Sequence, residues 1–242
     1  MRVAICYWGM TRSTRLIYKT HEKYLFDVLR TNNIEYYTYI HTWKTDFNVI
    51  WNEASRVPID YEEWRLLKPT EYCLDHQDTF LSTVPFNQYF DATSGQEWHP
   101  RLIMNHLCSL ESKRRVFQMA QKRPVDFVLF IRPDVQLRTY FNVGIFNILS
   151  KGDIAIPDEN HGEGYNDRFA VLPMSSAIAY AERIKELAEF RRTQGRIVSE
   201  KYVKFIIDKY YKVHFFKFKF TIIRPDGSPA HFDITCDQPS SS

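Results

Sequence analysis

Two stretches of this sequence bring together side chains that could do chemistry on a charged or hydroxylated ligand. The first is Arg132-Pro133-Asp134, directly after the apolar run Val125 to Ile131. A carboxylate at the tip of a strand can hold a hard divalent cation, which neutralises a diphosphate as it leaves, and the adjoining guanidinium can grip a phosphate through paired hydrogen bonds. The same tripeptide also reads as a plain strand-ending turn, with proline fixing φ and aspartate capping the backbone beyond it. The second stretch is Gly162-Glu163-Gly164-Tyr165-Asn166-Asp167-Arg168. Two glycines admit close backbone approach, and Asn166 and Asp167 offer oriented partners of the kind that read sugar hydroxyls. An ordinary connecting loop is the competing reading.

Such residues need elements to position them. Val3 to Tyr7 is a short apolar run closed by Gly9, a buried strand ending in a tight loop. Thr14 to Leu29 has helical spacing and stops at Asn32-Asn33, and Ile34 to His41 is a second strand. Residues 44–98 are broken by Pro58, Pro69 and Pro85 and predict only short elements. His99-Pro100 opens an amphipathic helix over Arg101 to Gln121. Val125 to Ile131 is apolar almost throughout, as a central parallel strand should be. A helix at 139–149, a strand at Asp153 to Ile156, a strand at Arg168 to Leu172, helices at 174–192 and 199–209 and a β run at Val213 to Ile223 complete the pattern. Residues just past the carboxyl end of a central strand are where ligands bind in open α/β sheets. Arg132 to Asp134 occupies that place.

Composition narrows the possibilities. The chain has 242 residues, 44% hydrophobic and 25% charged, with a net charge of +3. That excludes disorder and collagen-like structure and predicts one globular domain over 1–239 with a Ser-rich tail at 240–242. Without a basic stripe or a run of five like charges, duplex nucleic acid is not an expected partner. The cysteines Cys6, Cys73, Cys108 and Cys236 form no close pair, which fits a reducing compartment. No apolar run is long enough for a signal-peptide core or a membrane span, so the expectation is a cytoplasmic protein. The 15 Tyr, 18 Phe and 5 Trp exceed what a core of this size requires, so some aromatics are expected to face a ligand.

Read in order, Gly9 and Arg12 after the first strand, Tyr-Ile-His-Thr-Trp at 39–43, Ile-Arg-Pro-Asp-Val at 131–135, Ile-Pro at 156–157, Gly-Tyr-Asn-Asp-Arg-Phe-Ala-Val at 164–171, Ser-Glu-Lys-Tyr at 199–202 and Arg-Pro-Asp-Gly at 224–227 resemble one family. It is that of the small GT-A-type glycosyltransferases encoded by large algal viruses and their cellular relatives. The resemblance implies a single-domain α/β GT-A fold, Rossmann-like, with a mainly parallel central sheet flanked by helices. It also implies transfer of a sugar from a nucleotide diphosphate sugar, the UDP form, to a hydroxyl of an acceptor glycan, in the host cytoplasm where the source is a virus. A divalent metal, Mn2+ or Mg2+, would sit at the strand-end acidic motif. Here Arg132 stands in place of the first acid, and Asp134 is the single ligand carried over.

Further roles follow from the resemblance. Trp8, Gly9 and Arg12 would meet the base and diphosphate; the alternative is a core tryptophan and a solvated arginine. Thr42 and Trp43 would contact the nucleoside, and Arg115 would reach base or phosphate unless it lies on a solvated helix face. Gly164, Asn166 and Asp167 fall on the sugar side, with Asp167 the nominee for catalytic base beside Asp134. Glu200 reads as a helix-start cap or as a carboxylate in the site. His231 is a late metal ligand or a plain loop histidine. His99 and His106 lack ligand spacing. A different class stays open: a non-catalytic carbohydrate-binding or scaffold protein on a decayed transferase fold.

Overall fold

In the computed structural model, which describes residues 1–45, 58–91, 93 and 99–230, the first apolar run is strand β1 (Arg2–Trp8). The helical spacing after it becomes α1 (Thr14–His21) and α2 (Asp27–Thr31), joined by a π-helical turn at Glu22–Phe26. β2 (Glu35–Lys44) follows, then β3 (Glu71–His76) and α3 (Gln77–Ser82), both inside the stretch that lacked a regular pattern. Helix α4 (Pro100–Ala120) starts with proline, whose missing N–H would have no partner there in any case, and with His99 Nδ1 accepting the Arg101 N–H at 3.2 Å. The remaining elements are β4 (Phe127–Ile131), β5 (Val135–Leu137), α5 (Ile145–Ile148), β6 (Asp153–Pro157), β7 (Phe169–Pro173), α6 (Ala177–Ala181), α7 (Leu187–Gln194), α8 (Ser199–Tyr210), β8 (Lys212–Phe216) and β9 (Phe220–Ile222).

Three expectations change in detail. The helix expected at 139–149 shrinks to the single turn α5, because Asn142 Oδ1 accepts the Gly144 N–H at 2.9 Å and holds an Asx turn where the helix would have begun. The helix expected at 174–192 is divided into α6 and α7, Glu182 leaving helical geometry at φ −95° and ψ 12°. The last β run separates into β8, an edge of the main sheet, and β9, which pairs with β5 in a two-stranded ribbon.

The main sheet has the order β3-β2-β1-β4-β7-β6-β8. All its pairings are parallel except those of β7, which runs against β4 and β6. This is the expected α/β architecture, a mainly parallel seven-stranded sheet flanked by helices. Strand residues alternate between two cores. Val3, Ile5 and Tyr7 of β1 pack with Leu25, Phe26 and Leu29 on one face, whereas Ala4, Cys6 and Trp8 pack with Val116 and Phe117 of α4 on the other. Aromatic excess is largely spent here: Phe141, Phe169, Phe216 and Phe218 form one contiguous buried group. No described helix is long and apolar enough to cross a membrane.

What this layout does for a site follows from the strand order. After β1 the chain adds β2 and β3 on one side, then returns to place β4 on the other, so the order reverses between β1 and β4. That reversal opens a crevice at the carboxyl ends of the two strands. Because β7 is antiparallel and in register with β4 at Ile131↔Phe169, its first residue and the loop preceding it also arrive at that end.

Candidate functional site

Asp134 lies at the reversal point and is almost wholly buried, its side chain 2% exposed. Two guanidinium groups close on it. Arg132 donates from Nε to Oδ1 at 3.0 Å and from Nη2 to Oδ2 at 2.6 Å, and Arg12 donates to Oδ2 from Nε at 3.3 Å and from Nη2 at 3.0 Å. Burial opposes the charge on Asp134, but Arg132 and Arg12 outweigh it and hold the carboxyl at about 2. Both carboxylate oxygens already carry cations. This donor set does not fit a divalent metal, which would bring a third positive centre against two fixed ones. The other residue expected as a ligand, His231, lies outside the described residues.

Beside this cluster α4 contributes a buried lysine. Lys113 is 1% exposed, and its Nζ stands 3.0 Å from the centroid of the Trp8 ring. Burial first, then the charges of Arg183 and Arg132, push its ammonium well below the ordinary lysine value, while Asp167 works the other way. His106, two helical turns earlier, is buried with a pKa of about 3, lowered by burial and then by Lys113. Trp8 Nε1, His106 Nε2 and Arg183 Nε are buried without a hydrogen-bond partner among the described residues. An unmatched buried donor costs about 1–3 kcal/mol, so several close together are a cost that a polar guest would relieve.

The carboxylates facing these cations are Asp167 and Glu200. Arg168 stands between them, Nε 4.0 Å from Asp167 Oδ1 and Nη2 3.6 Å from Glu200 Oε1. Burial opposes the charge on Asp167, yet Arg168, Lys113 and Arg132 together carry it below the ordinary aspartate value. Glu200 moves the other way, raised by burial and by the charge of Asp167. Two neighbouring acids driven in opposite directions are the usual arrangement for dividing proton carriage from charge stabilisation.

The glycine loop is folded on itself before it meets any ligand. Asn166 is fully buried. Its Nδ2 donates to the Glu159 carbonyl at 2.8 Å and its Oδ1 accepts the Arg168 N–H at 2.9 Å, so both ends of the amide hold the loop together. Gly164 lies against the start of α8, where a Cβ would come 2.0 Å from the Glu200 carbonyl oxygen. The Tyr165 N–H donates to that same carbonyl at 3.0 Å. Gly164 and Asn166 therefore fix Asp167 against Glu200, a placement task rather than a contact surface.

Thr42 and Trp43 of β2 and Arg115 of α4 gather elsewhere, on the β3 side of the sheet. Trp43 is 2% exposed, and its indole N–H donates to the Cys108 carbonyl at 3.1 Å. Arg115 lies 5.3 Å from the Trp43 ring and pairs with Asp75 and Glu111. Thr42 Oγ1 accepts the Thr11 N–H at 3.3 Å, tying this group to the loop after β1. Gly9 takes φ +95°, which favours glycine, and its N–H donates to Ser112 at 2.8 Å. Trp8 is likewise a core residue with Lys113 on its ring, so neither tryptophan presents an open face for a base.

Three contributors had no motif to announce them, Lys113, His106 and Arg183, while Arg168 stood in the glycine-loop motif without a role assigned to it. The first two left a trace, being polar residues seven apart on a helix whose same stretch carries Leu107, Leu110 and Phe117. A groove of about 600 Å³ lies between α7 and α8, lined by Phe190, Phe205 and three lysines. Its charges are already spent, Lys201 pairing with Glu163, Lys204 with Asp208 and Lys209 with Glu186.

No family model matches the sequence, and no curated protein matches it. Among solved structures the chain is similar to the apo form of the glycosyltransferase GlyE of Streptococcus pneumoniae TIGR4, at 11% identity and a TM-score of 0.42. The match covers 88% of this chain and 44% of that one, so the chain spans under half the length of the protein it resembles.

Proposed function

We propose that the chain is a glycosyltransferase that takes a sugar from a nucleotide diphosphate donor, UDP by the resemblance of its motifs, and passes it to a hydroxyl of a glycan. The observation that carries this reading is the cluster of Lys113 and Arg168, buried, with Arg132, Asp167 and Glu200, half-buried, at the carboxyl ends of β1 and β4. Cations suit a departing diphosphate, and a pair of acids with divided acidity suits the acceptor hydroxyl. Cytoplasmic glycan assembly by a virus belongs to the same resemblance.

The division of labour follows from the electrostatics. As the bond from the anomeric carbon to the diphosphate breaks, negative charge grows on the leaving oxygen. Arg132, 23% exposed and held in place by Asp134, is the guanidinium best placed to meet it. The acceptor oxygen forms the new bond to the sugar and its proton passes to Glu200, whose raised pKa makes it the better proton carrier. Asp167 stays ionised and keeps Glu200 basic. The base role first assigned to Asp167 thus moves to its neighbour. No step runs through a metal at Asp134.

A pH–rate profile tests this. A general base works when deprotonated, so turnover should rise as pH climbs through the Glu200 pKa, above the ordinary glutamate value. Glu200→Gln should cut turnover by about two to four orders of magnitude and abolish that limb, with donor affinity nearly unchanged. Asp167→Asn removes the charge that raises Glu200, so the limb should move to lower pH. An unmoved limb in both variants would remove the pair from the mechanism. A second reading, a carbohydrate-binding module on a decayed transferase frame, is favoured by the guanidinium pair on Asp134. Release of nucleoside diphosphate from a donor, with or without manganese, separates the two.

A further inference from the structure

On the β2–β3 side of the sheet, three side chains of different donor chemistry face one another. β2 and β3 are parallel and pair His41 with Cys73 and Trp43 with Asp75. Residues opposite each other, or two apart on one strand, share a sheet face, so His41, Cys73 and Asp75 lie on the face that α4 covers. The backbone alone brings them together. His41 Nε2 is 3.0 Å from Asp75 Oδ2, Cys73 Sγ is 3.3 Å from the same oxygen, and all three donor atoms lie within 4.8 Å of one another. Ligand atoms around a tetrahedral zinc, at bonds of about 2.0–2.3 Å, are separated by roughly 3.3–3.6 Å.

The surroundings are those of a ligand set. Ser112 Oγ accepts the Gly9 N–H and donates its single proton to the His41 carbonyl at 3.0 Å. His41 Nδ1, 2.8 Å from the same oxygen, must then be the N–H donor of that contact. This leaves a lone pair on Nε2 facing the Asp75 carboxylate, an unfavourable approach of two acceptors unless a cation or proton lies between. A hydrogen-bonded outer nitrogen is how metal-binding histidines are oriented. Asp75 is oriented in turn by Arg115, which also holds Glu111. Arg115 Nη1 bonds the same Oδ2 that His41 and Cys73 face, so a cation would be held through Oδ1 or in place of that guanidinium, and the positive charge of Arg115 lowers the affinity of the cluster.

We propose that His41, Cys73 and Asp75 form a binding site for a borderline-soft divalent cation of the zinc type, with water completing the coordination. One thiol, one imidazole and one carboxylate select such an ion over Mg2+ or Mn2+, which prefer all-oxygen surroundings.

Cobalt(II) reports on it directly. Titrating Co2+ into the reduced full-length chain should give, at one equivalent, a near-ultraviolet thiolate-to-cobalt absorption that Zn2+ displaces and Mg2+ does not. Cys73→Ser should abolish the band, while Cys236→Ser and Cys108→Ser retain it. Absence of the band, or its survival in Cys73→Ser, overturns the site. Should Cys73→Ser fail to fold, thiol alkylation of the unaltered chain with peptide mapping replaces it. Zn2+ should then slow modification of Cys73 at least tenfold, and an unchanged rate there counts equally against the proposal.

Discussion

At the scale of single residues, Asp134 is the position whose meaning differs most between sequence and structure. A strand-tip aspartate suggests a metal ligand, but Arg12 and Arg132 make it the counter-ion of two guanidinium groups, one buried and one half-buried. Removing one partner of a buried ion pair costs about 3–5 kcal/mol, because the other charge stays buried and uncompensated. Asp134→Asn is therefore expected to lower stability by about 3 kcal/mol in urea unfolding as well as to impair transfer; an unchanged midpoint would mean that the guanidiniums stand without it. The acid side follows by linkage. Its folded pKa of about 2 lies below the ordinary 3.8, so its stabilisation is present above pH 4 and fades as pH falls toward 2. The amount at stake is about 2 kcal/mol. The acid limb of a stability–pH curve should accordingly flatten in Asp134→Asn.

Among elements, the contact between the glycine loop and the start of α8 makes the sharpest prediction. A methyl on Gly164 would meet backbone at 2.0 Å, whereas one on Gly162 would meet the movable Glu200 side chain at 3.2 Å, though at φ +54°. Gly164→Ala should cost at least about 2–3 kcal/mol and displace Glu200, lowering turnover. Gly162→Ala should cost about 1–2 kcal/mol from backbone strain. Melting curves of the two variants, in the same buffer, decide whether that ranking holds. The same loop marks how far the sequence was legible. Its glycines and its Asn-Asp pair were visible because glycine and Asx residues carry strong local conformational signals. Its partner Glu200 read as a helix cap or a site carboxylate, since nothing local reveals that a helix start thirty-odd residues on packs against the loop. β1, β2 and β4 were legible from unbroken apolar runs. β3 was not, because Tyr72, Asp75 and His76 break the pattern on a strand that lies at the sheet edge and needs no fully apolar face. Lys113 escaped for a comparable reason: only the fold places Trp8 and Asp167 around it.

For the molecule as a whole, the proposed donor seat should couple ligand binding to global stability. A ligand that binds only the folded chain at about a hundred times its Kd adds about 2.7 kcal/mol, which for a chain of this size is a Tm rise of roughly 5–11 °C. UDP is expected to give such a rise with chelator present, and Arg132→Ala to abolish most of it. A rise that requires manganese would return the metal to Asp134 and set aside the guanidinium account. Screening offers a second check at this scale. The cations of the seat are buried or half-buried, so salt between 0.05 and about 0.5 M should weaken UDP binding less than it would at an exposed basic surface.

The loop after β1 is also a statement about the order in which the chain acquires its structure. Arg12 reaches Asp134 across 122 positions of sequence, and Ser13 Oγ reaches the Ile223 carbonyl across 210. β1 and its first helix can assemble from local contacts, but this loop takes its shape only once the middle and the far end of the chain have docked on it. Contacts of such long sequence separation are the slow ones to form. Diluted from urea, the chain should regain far-ultraviolet dichroism before it regains UDP binding, with the lag set by arrival of the segment around Ile223. The donor seat would then act as a completion mark, present only on chains whose two ends have met.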